Sequence, residues 1–286
     1  MIHADPLHIG LSPCPNDTFI FYALLHDKVD SRVKFLPFMT DVEELNKKVL
    51  KGELPVSKVS FGMLGKYLDD YIVLNSGSAM GRGCGPLLVS KKKVSPEDME
   101  SLRIAIPGIN TTAALLLKLF APGAKNLIPM PFFEIPGSVL REEADCGVII
   151  HETRFTYTSY GLHCIKDLGE WWESETGLPI PLGGIVAKRS LGQKLLLDID
   201  RTIHESVSYS IKNPSQAQAF IKEHAQETSP EVIRNHIDLY VNEFTLNMGK
   251  EGKFALETLM KKATGLGIFK GCSPKAQNMV LQKKPL

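Results

Sequence analysis

Long apolar runs are missing from this chain of 286 residues. No window of about 18 apolar residues occurs, which argues against a transmembrane helix. Neither charge is in excess: 33 Lys and Arg face 32 Asp and Glu, for a formal charge of +1. A nucleic-acid binder carries a basic surplus or stripe, and the only basic triplet, Lys91-Lys92-Lys93, reads as a solvated turn. Cysteine is sparse, with five residues at positions 14, 84, 146, 164 and 272 and no C-x-x-C pair. Zinc-ribbon and thioredoxin-type chemistry therefore has no support, and buried free thiols in a reducing compartment are expected. The opening Met1-Ile2-His3-Ala4-Asp5-Pro6 lacks the basic start and apolar stretch of a signal peptide. A cytoplasmic location is the expectation.

Familiar catalytic signatures are absent as well. Gly81-Arg82-Gly83-Cys84-Gly85 lacks the G-x-G-x-x-G spacing, and a strand rather than a helix follows it. No P-loop and no G-x-S-x-G elbow occur. His151-Glu152 begins like H-E-x-x-H, but the fifth position is Phe155.

What is present is alternation. Leu7–Ser12, Val33–Met39, Val56–Phe61 and Tyr71–Asn75 read as strands, with helices between them at Asn16–Leu24, Asp41–Lys51 and Leu64–Leu68. Asn16-Asp17 reads as an N-cap pair. This order implies a mostly parallel sheet covered on both faces. Four glycines fall between Gly77 and Gly85, and a strand at Pro86–Ser90 follows. A second series places strands at Arg103–Ile106, Leu127–Met130, Cys146–Ile150, His163–Ile165 and Ile180–Ala187, with helices at Thr111–Phe120 and Ser138–Glu143. From Leu191 to Leu266 the pattern is helical only. The expected fold is α/β with two lobes. Residues 1–89 plus 188–286 form one lobe, with the helical tail packed back on it, and 90–187 form the other. The glycine cluster and the Ile180–Lys188 strand are the expected crossings, and a ligand cleft lies between the lobes.

Several residues stand out against that frame. His151 directly follows an apolar strand, where side chains of open α/β sheets face the ligand crevice. A neutral imidazole there suits proton abstraction near neutral pH; the alternative is a buried histidine bonded to backbone. Lys58 and Ser60 share a strand face, putting a cation and a hydroxyl where apolar residues are expected; a solvated sheet edge is the alternative. Thr111 and Thr112 lie where a helix opens after Gly108, capped by Asn110 or Thr111, and free N–H groups at such a terminus favour an anion such as a carboxylate; a plain N-cap with no ligand is the alternative. Asn16 and Asp17 follow the same strand-to-helix logic. His8 and His163 read as ordinary strand residues, and spacing assigns no role to Cys14.

The run from Ser12 to Leu24, S-P-C-P-N-D-T-F-I-F-Y-A-L, is closely similar to the opening of the 1,4-dihydroxy-6-naphthoate synthase family of the futalosine route to menaquinone. The resemblance continues through Leu54–Ser60, Gly81–Leu87, Pro107–Ala113, Ile149–Tyr157, Trp171-Trp172 and Thr176–Gly183, covering nearly the whole chain. It implies a fold similar to type II periplasmic binding proteins. It implies conversion of cyclic dehypoxanthine futalosine to 1,4-dihydroxy-6-naphthoate with loss of the sugar-derived fragment, and no metal or cofactor. The family's base matches His151, and its substrate-contacting segments match Lys58-Val59-Ser60 and Thr111-Thr112. Asn16 and Asp17 are expected to line the cleft. The expected partner is the small-molecule substrate, with no nucleic acid or membrane, for a monomer or weak homodimer. Three alternatives remain: a binding protein without turnover, the related chorismate dehydratase, and a cofactor-dependent enzyme such as an aminotransferase.

Overall fold

The computed structural model describes residues 6–226, 229–269 and 279–282. Short Val- and Ile-bearing runs form strands, and the longer amphipathic stretches between them coil. The first series comprises β1 (Leu7–Leu11), α1 (Pro15–Leu25), β2 (Phe35–Met39), α2 (Val42–Leu50), β3 (Val56–Ser60), a 3-10 turn at Phe61–Lys66, and β4 (Tyr71–Val73). Helix α2 is capped by Asp41, whose carboxylate accepts from the Glu43 amide at 2.8 Å. The start of α1 differs from expectation. Pro15 fits the first helical position, where its missing N–H is no loss, so Cys14 is the N-cap. Asn16 and Asp17 thus lie inside the first turn.

The second series runs β5 (Ala79–Gly81), β6 (Leu87–Ser90), β7 (Ile104–Ile106), α3 (Thr112–Phe120), β8 (Leu127–Pro129), α4 (Ile135–Leu140), β9 (Cys146–Ile149), α5 (Thr153–Thr156), β10 (His163–Asp167) and α6 (Leu168–Thr176). After β11 (Ile180–Lys188) come α7 (Gln193–Lys212), α8 (Pro214–His224), α9 (Pro230–Tyr240), α10 (Glu243–Leu246) and α11 (Gly249–Gly265). Two sheets result. One has the order β2-β1-β3-β11-β4, with β5 beside β11; the other has the order β10-β6-β9-β7-β8.

Neither sheet is mostly parallel. β1 runs parallel to β2 and β3, but β11 is antiparallel to β3, β4 and β5. Likewise β7 is parallel to β8 and β9, while β6 is antiparallel to β9 and β10. The antiparallel strands β6 and β11 flank the crossings and enter their sheets from the opposite end. The chain passes between the sheets at 82–86 and again at 168–179, where α6 forms a helix that the sequence pattern did not indicate. Among the described residues, no helix is long and apolar enough to cross a membrane. Cys14, Cys84 and Cys146 are buried free thiols, but Cys164 is exposed; Cys272 lies outside the described residues.

The cores follow from this arrangement. One cluster joins Ile9, Leu11 and Val56 of the first sheet to Ile199, Ile203 and Val207 of α7, so that part of the tail packs on the first sheet. A larger cluster holds residues of both sheets, among them Val59, Phe61, Leu88, Leu116 and Trp172. Fully buried Trp172 satisfies its indole N–H on the Pro179 carbonyl at 3.1 Å. Beside it the two crossings touch through their backbones: a Cβ on Gly85 would lie 2.3 Å from the Cα and N of Gly169. Gly85→Ala is therefore expected to cost about 1–3 kcal/mol, the usual penalty of overpacking. A urea midpoint unchanged from wild type would show that the crossings can separate freely.

Candidate active site

A cavity of about 90 Å³ opens between the two sheets, in the crevice where ligands of open α/β folds bind. All the residues singled out above line it: Asn16, Asp17, Lys58, Val59, Ser60, Thr111, Thr112 and His151. Strand β3 lies between β1 and β11, and all five of its residues are buried. The solvated-edge alternative for Lys58 and Ser60 is thereby excluded. Lys58 Nζ sits 2.8 Å from Asp17 Oδ1 and donates to the Gly77 carbonyl at 3.2 Å. An ammonium has three donors, and the third has no partner among the described residues. Asp17 is turned back from its helix: Oδ2 accepts from the Ser12 amide at 3.2 Å and the Ser12 hydroxyl at 2.7 Å. The Asn16 amide nitrogen meets Oδ1 at 3.0 Å.

Opposite stands the N-terminus of α3. The Thr111 hydroxyl accepts from Ala114 N at 3.2 Å and donates to the Gly108 carbonyl at 2.8 Å. The Thr112 hydroxyl accepts from Gly62 N at 2.8 Å and donates to the Leu182 carbonyl. Both hydroxyls are therefore committed to the protein. The backbone N–H groups of Thr112 and Ala113, which no helical turn can satisfy, remain for an anion. Around them the walls are drawn together. The Glu43 carboxylate receives the Asn110 amide at 2.8 Å, and Lys66 Nζ donates to Asn110 Oδ1 at 2.9 Å. Burial raises the Glu43 carboxyl above its usual range, against the hydrogen bonds of Asn110 and Asn46. Asn46 meanwhile holds Ser60, accepting from its amide at 2.9 Å and donating to its hydroxyl at 3.2 Å.

His151 lies two residues beyond β9 with φ of 56°. Non-glycine residues seldom adopt this left-handed conformation, and such strain gathers at functional sites. The ring meets the edge of Phe132 with centroids 4.8 Å apart. Its Nε2 is enclosed without a hydrogen-bond partner among the described residues, so that nitrogen is not tied to their backbone. Arg154, one turn on, pairs with Asp167 at 2.6 Å and donates to the carbonyls of Gly83 and Gly85. The glycine cluster is thus pinned to the segment that presents the histidine.

This geometry can be set beside known proteins. The model of a menaquinone-biosynthesis family matches residues 7–264. The 1,4-dihydroxy-6-naphthoate synthase of Thermus thermophilus is 45% identical over 264 residues, 92% of this chain and 96% of that protein. The chain belongs to this menaquinone-biosynthesis family. The synthase of the same name from Streptomyces coelicolor is 42% identical over 278 residues, covering 96% of this chain and 98% of that one. Among solved structures, a protein of Archaeoglobus fulgidus aligns with a TM-score of 0.88 at 34% identity, over 93% of this chain and 99% of that one. The periplasmic aliphatic sulphonate-binding protein of Escherichia coli aligns with a TM-score of 0.66 at 11% identity, over 97% and 98%. The fold is that of the periplasmic binding proteins.

In this member of the menaquinone-biosynthesis family the cavity also contains residues that the sequence did not point to. Ser12 holds Asp17, Tyr240 lines the wall, and His236 of α9 reaches in from the tail. The helical pattern over Leu191–Leu266 is all that covers His236 in the sequence, and a lone histidine on an amphipathic helix is no signal. Burial, with His151 and Lys58 nearby, pushes the His236 imidazole well below its usual pKa. Unfolding frees that ring to bind a proton below about pH 6.5, so stability is lost as pH falls under that value. Above it this histidine contributes no slope. Urea midpoints across about pH 5–8 should show a decline for wild type that His236→Phe reduces; equal declines would refute a neutral buried ring.

One cluster among the described residues has metal-ligand chemistry. A ligand atom each from Cys14, His151 and Glu152 lies within 4.8 Å of the others. Burial, together with the negative charges of Glu152 and Asp17, pushes the Cys14 thiol well up. A cation there would have to displace the thiol proton and engage the imidazole as well.

Proposed function

We propose that this chain converts cyclic dehypoxanthine futalosine to 1,4-dihydroxy-6-naphthoate and releases the sugar-derived fragment, as a lyase with His151 as general base. The observation that carries the reading is the strained His151, its Nε2 without a hydrogen-bond partner among the described residues, in a two-walled cavity, within a family whose named members are 1,4-dihydroxy-6-naphthoate synthases. His151 takes a proton from the sugar-derived part. The bond to the carbocycle then breaks as the ring becomes aromatic, so much of the driving force lies in the product. Such a reaction asks for a positioned base and exclusion of water; no cofactor enters this reading. The aryl carboxylate is held at the N-terminus of α3 by the Thr112 and Ala113 amides. Lys58, through its third N–H, and Ser60 bind oxygens of the fragment or of developing oxyanion charge. Val59 and Asn16 complete the walls, and Asp17 keeps Lys58 in place. The enzyme acts in the cytoplasm as a monomer or weak homodimer, without nucleic acid or membrane partners, and the lobes close over the substrate.

Incubating the purified protein with cyclic dehypoxanthine futalosine, without added metal or nucleotide, tests the reading. Dihydroxynaphthoate detected by mass spectrometry supports it. Tight binding of the compound without product would make the chain a binding protein instead.

A further inference from the structure

The reaction proposed above leaves His236 without a task, although it is only 1% exposed and lines the same cavity as His151. The two rings lie with centroids 6.1 Å apart and planes at 22°. The tautomer of His236 can be derived from its neighbours. The Asp17 carboxylate, paired with Lys58, only accepts hydrogen bonds, so Asn16 must turn its NH2 group toward it. The Asn16 carbonyl oxygen then faces His236 Nε2 at 3.0 Å. An oxygen of that kind cannot donate, so Nε2 carries the proton and Nδ1 keeps a bare lone pair. That Nδ1 is enclosed and without a hydrogen-bond partner among the described residues. Around the ring stand Tyr240 with its centroid at 4.6 Å and Phe155 at 6.4 Å. A buried acceptor left unpaired is costly, and a donor that enters with the ligand removes the cost.

We propose that His236 is a substrate-binding residue whose Nδ1 accepts a hydrogen bond from a hydroxyl of the sugar-derived fragment. This rests on the reaction proposed above. The ligand group must be a donor, which rules out the aryl carboxylate; that anion finds its donors at the N-terminus of α3. A hydroxyl held between His236 and the Lys58–Asp17–Asn16 chain would place the fragment beside His151, the group that takes its proton. The fixed tautomer makes the site selective, since a ketone or ether oxygen at that position would face a lone pair.

The test compares wild type, His236→Gln and His236→Phe in steady-state turnover of cyclic dehypoxanthine futalosine. Binding of 1,4-dihydroxy-6-naphthoate, which lacks the fragment, is measured alongside. His236→Phe should raise KM about tenfold, the loss of one neutral hydrogen bond, and leave naphthoate affinity within about twofold of wild type. His236→Gln, with both a donor for Asn16 and an acceptor, should recover most of the KM; it also serves if the Phe variant does not fold. Unchanged KM in the variants would overturn the proposal. So would an equal weakening of substrate and naphthoate, the mark of a merely structural role. A large fall in kcat at constant KM would make His236 a proton carrier rather than a binding group. Wild type without any product would instead remove the reaction itself, and this inference with it.

Discussion

Replacing His151 with Ala should lower turnover by about 10²–10⁴-fold, the usual contribution of a positioned general base, with substrate affinity nearly unchanged. One local feature sharpens this expectation. The residue has φ of 56°, a left-handed strain of about 1–2 kcal/mol that any side chain with a Cβ bears, so alanine keeps the strain while losing the imidazole. His151→Asn removes the base but tolerates the left-handed region, and it separates the two effects. If both variants lose turnover alike, the loss belongs to the imidazole. If only the alanine variant fails, the conformation rather than the base is what matters. Single-turnover mass spectrometry, with binding of the unconverted compound measured alongside, reads both quantities. Turnover retained in both variants would take His151 out of the mechanism while leaving the reaction in place.

Much of this site was legible because its parts are local. Lys58 breaks an apolar pattern within five residues of strand. His151 stands two residues after a strand end, and Thr111 caps a helix that begins at once. Each signal lies inside a single strand–helix unit. The parts that could not be read are those in which distant segments meet. Asn16 and His236 are 220 positions apart, and the Glu43–Asn110 contact spans 67. The mixed direction of the sheets was hidden for the same reason. Periodicity shows that Ile180–Lys188 is a strand, but not that it returns to pair antiparallel with β3. β5 and α6 were missed because glycines and the Trp171-Trp172 pair mask the period, while pairing with β11 places β5 and backbone contact between Gly85 and Gly169 places α6. Asn16-Asp17 was misread for a local reason. Pro15 can occupy the first helical position, which moves the helix start one residue ahead of the expected cap.

The second large effect concerns stability. Lys58 and Asp17 have side chains only 6% and 2% exposed, so each is a buried charge whose partner is the other. Removing one member of such a pair typically costs about 3–5 kcal/mol, because the remaining charge is left uncompensated. The two halves are not equivalent. After Lys58→Met, the Asp17 carboxylate keeps three donors: the Ser12 amide, the Ser12 hydroxyl and Asn16. After Asp17→Asn, the ammonium loses its counter-charge and keeps only neutral acceptors among the described residues, such as the Gly77 carbonyl, and the new amide must point NH2 at a neighbour that also donates. Asp17→Asn is therefore expected to be the more damaging. The double variant should be less destabilised than the sum of the two, since it leaves no unpaired charge. Urea unfolding at constant m measures each value, and a loss under about 1 kcal/mol in both single variants would show the pair to be solvated. Because Asp17 also orients Asn16, and Asn16 orients His236, the destabilised variants should lose substrate affinity even where they remain folded. The ion pair thus links the stability of α1 and β3 to the orientation of the groups that face the ligand.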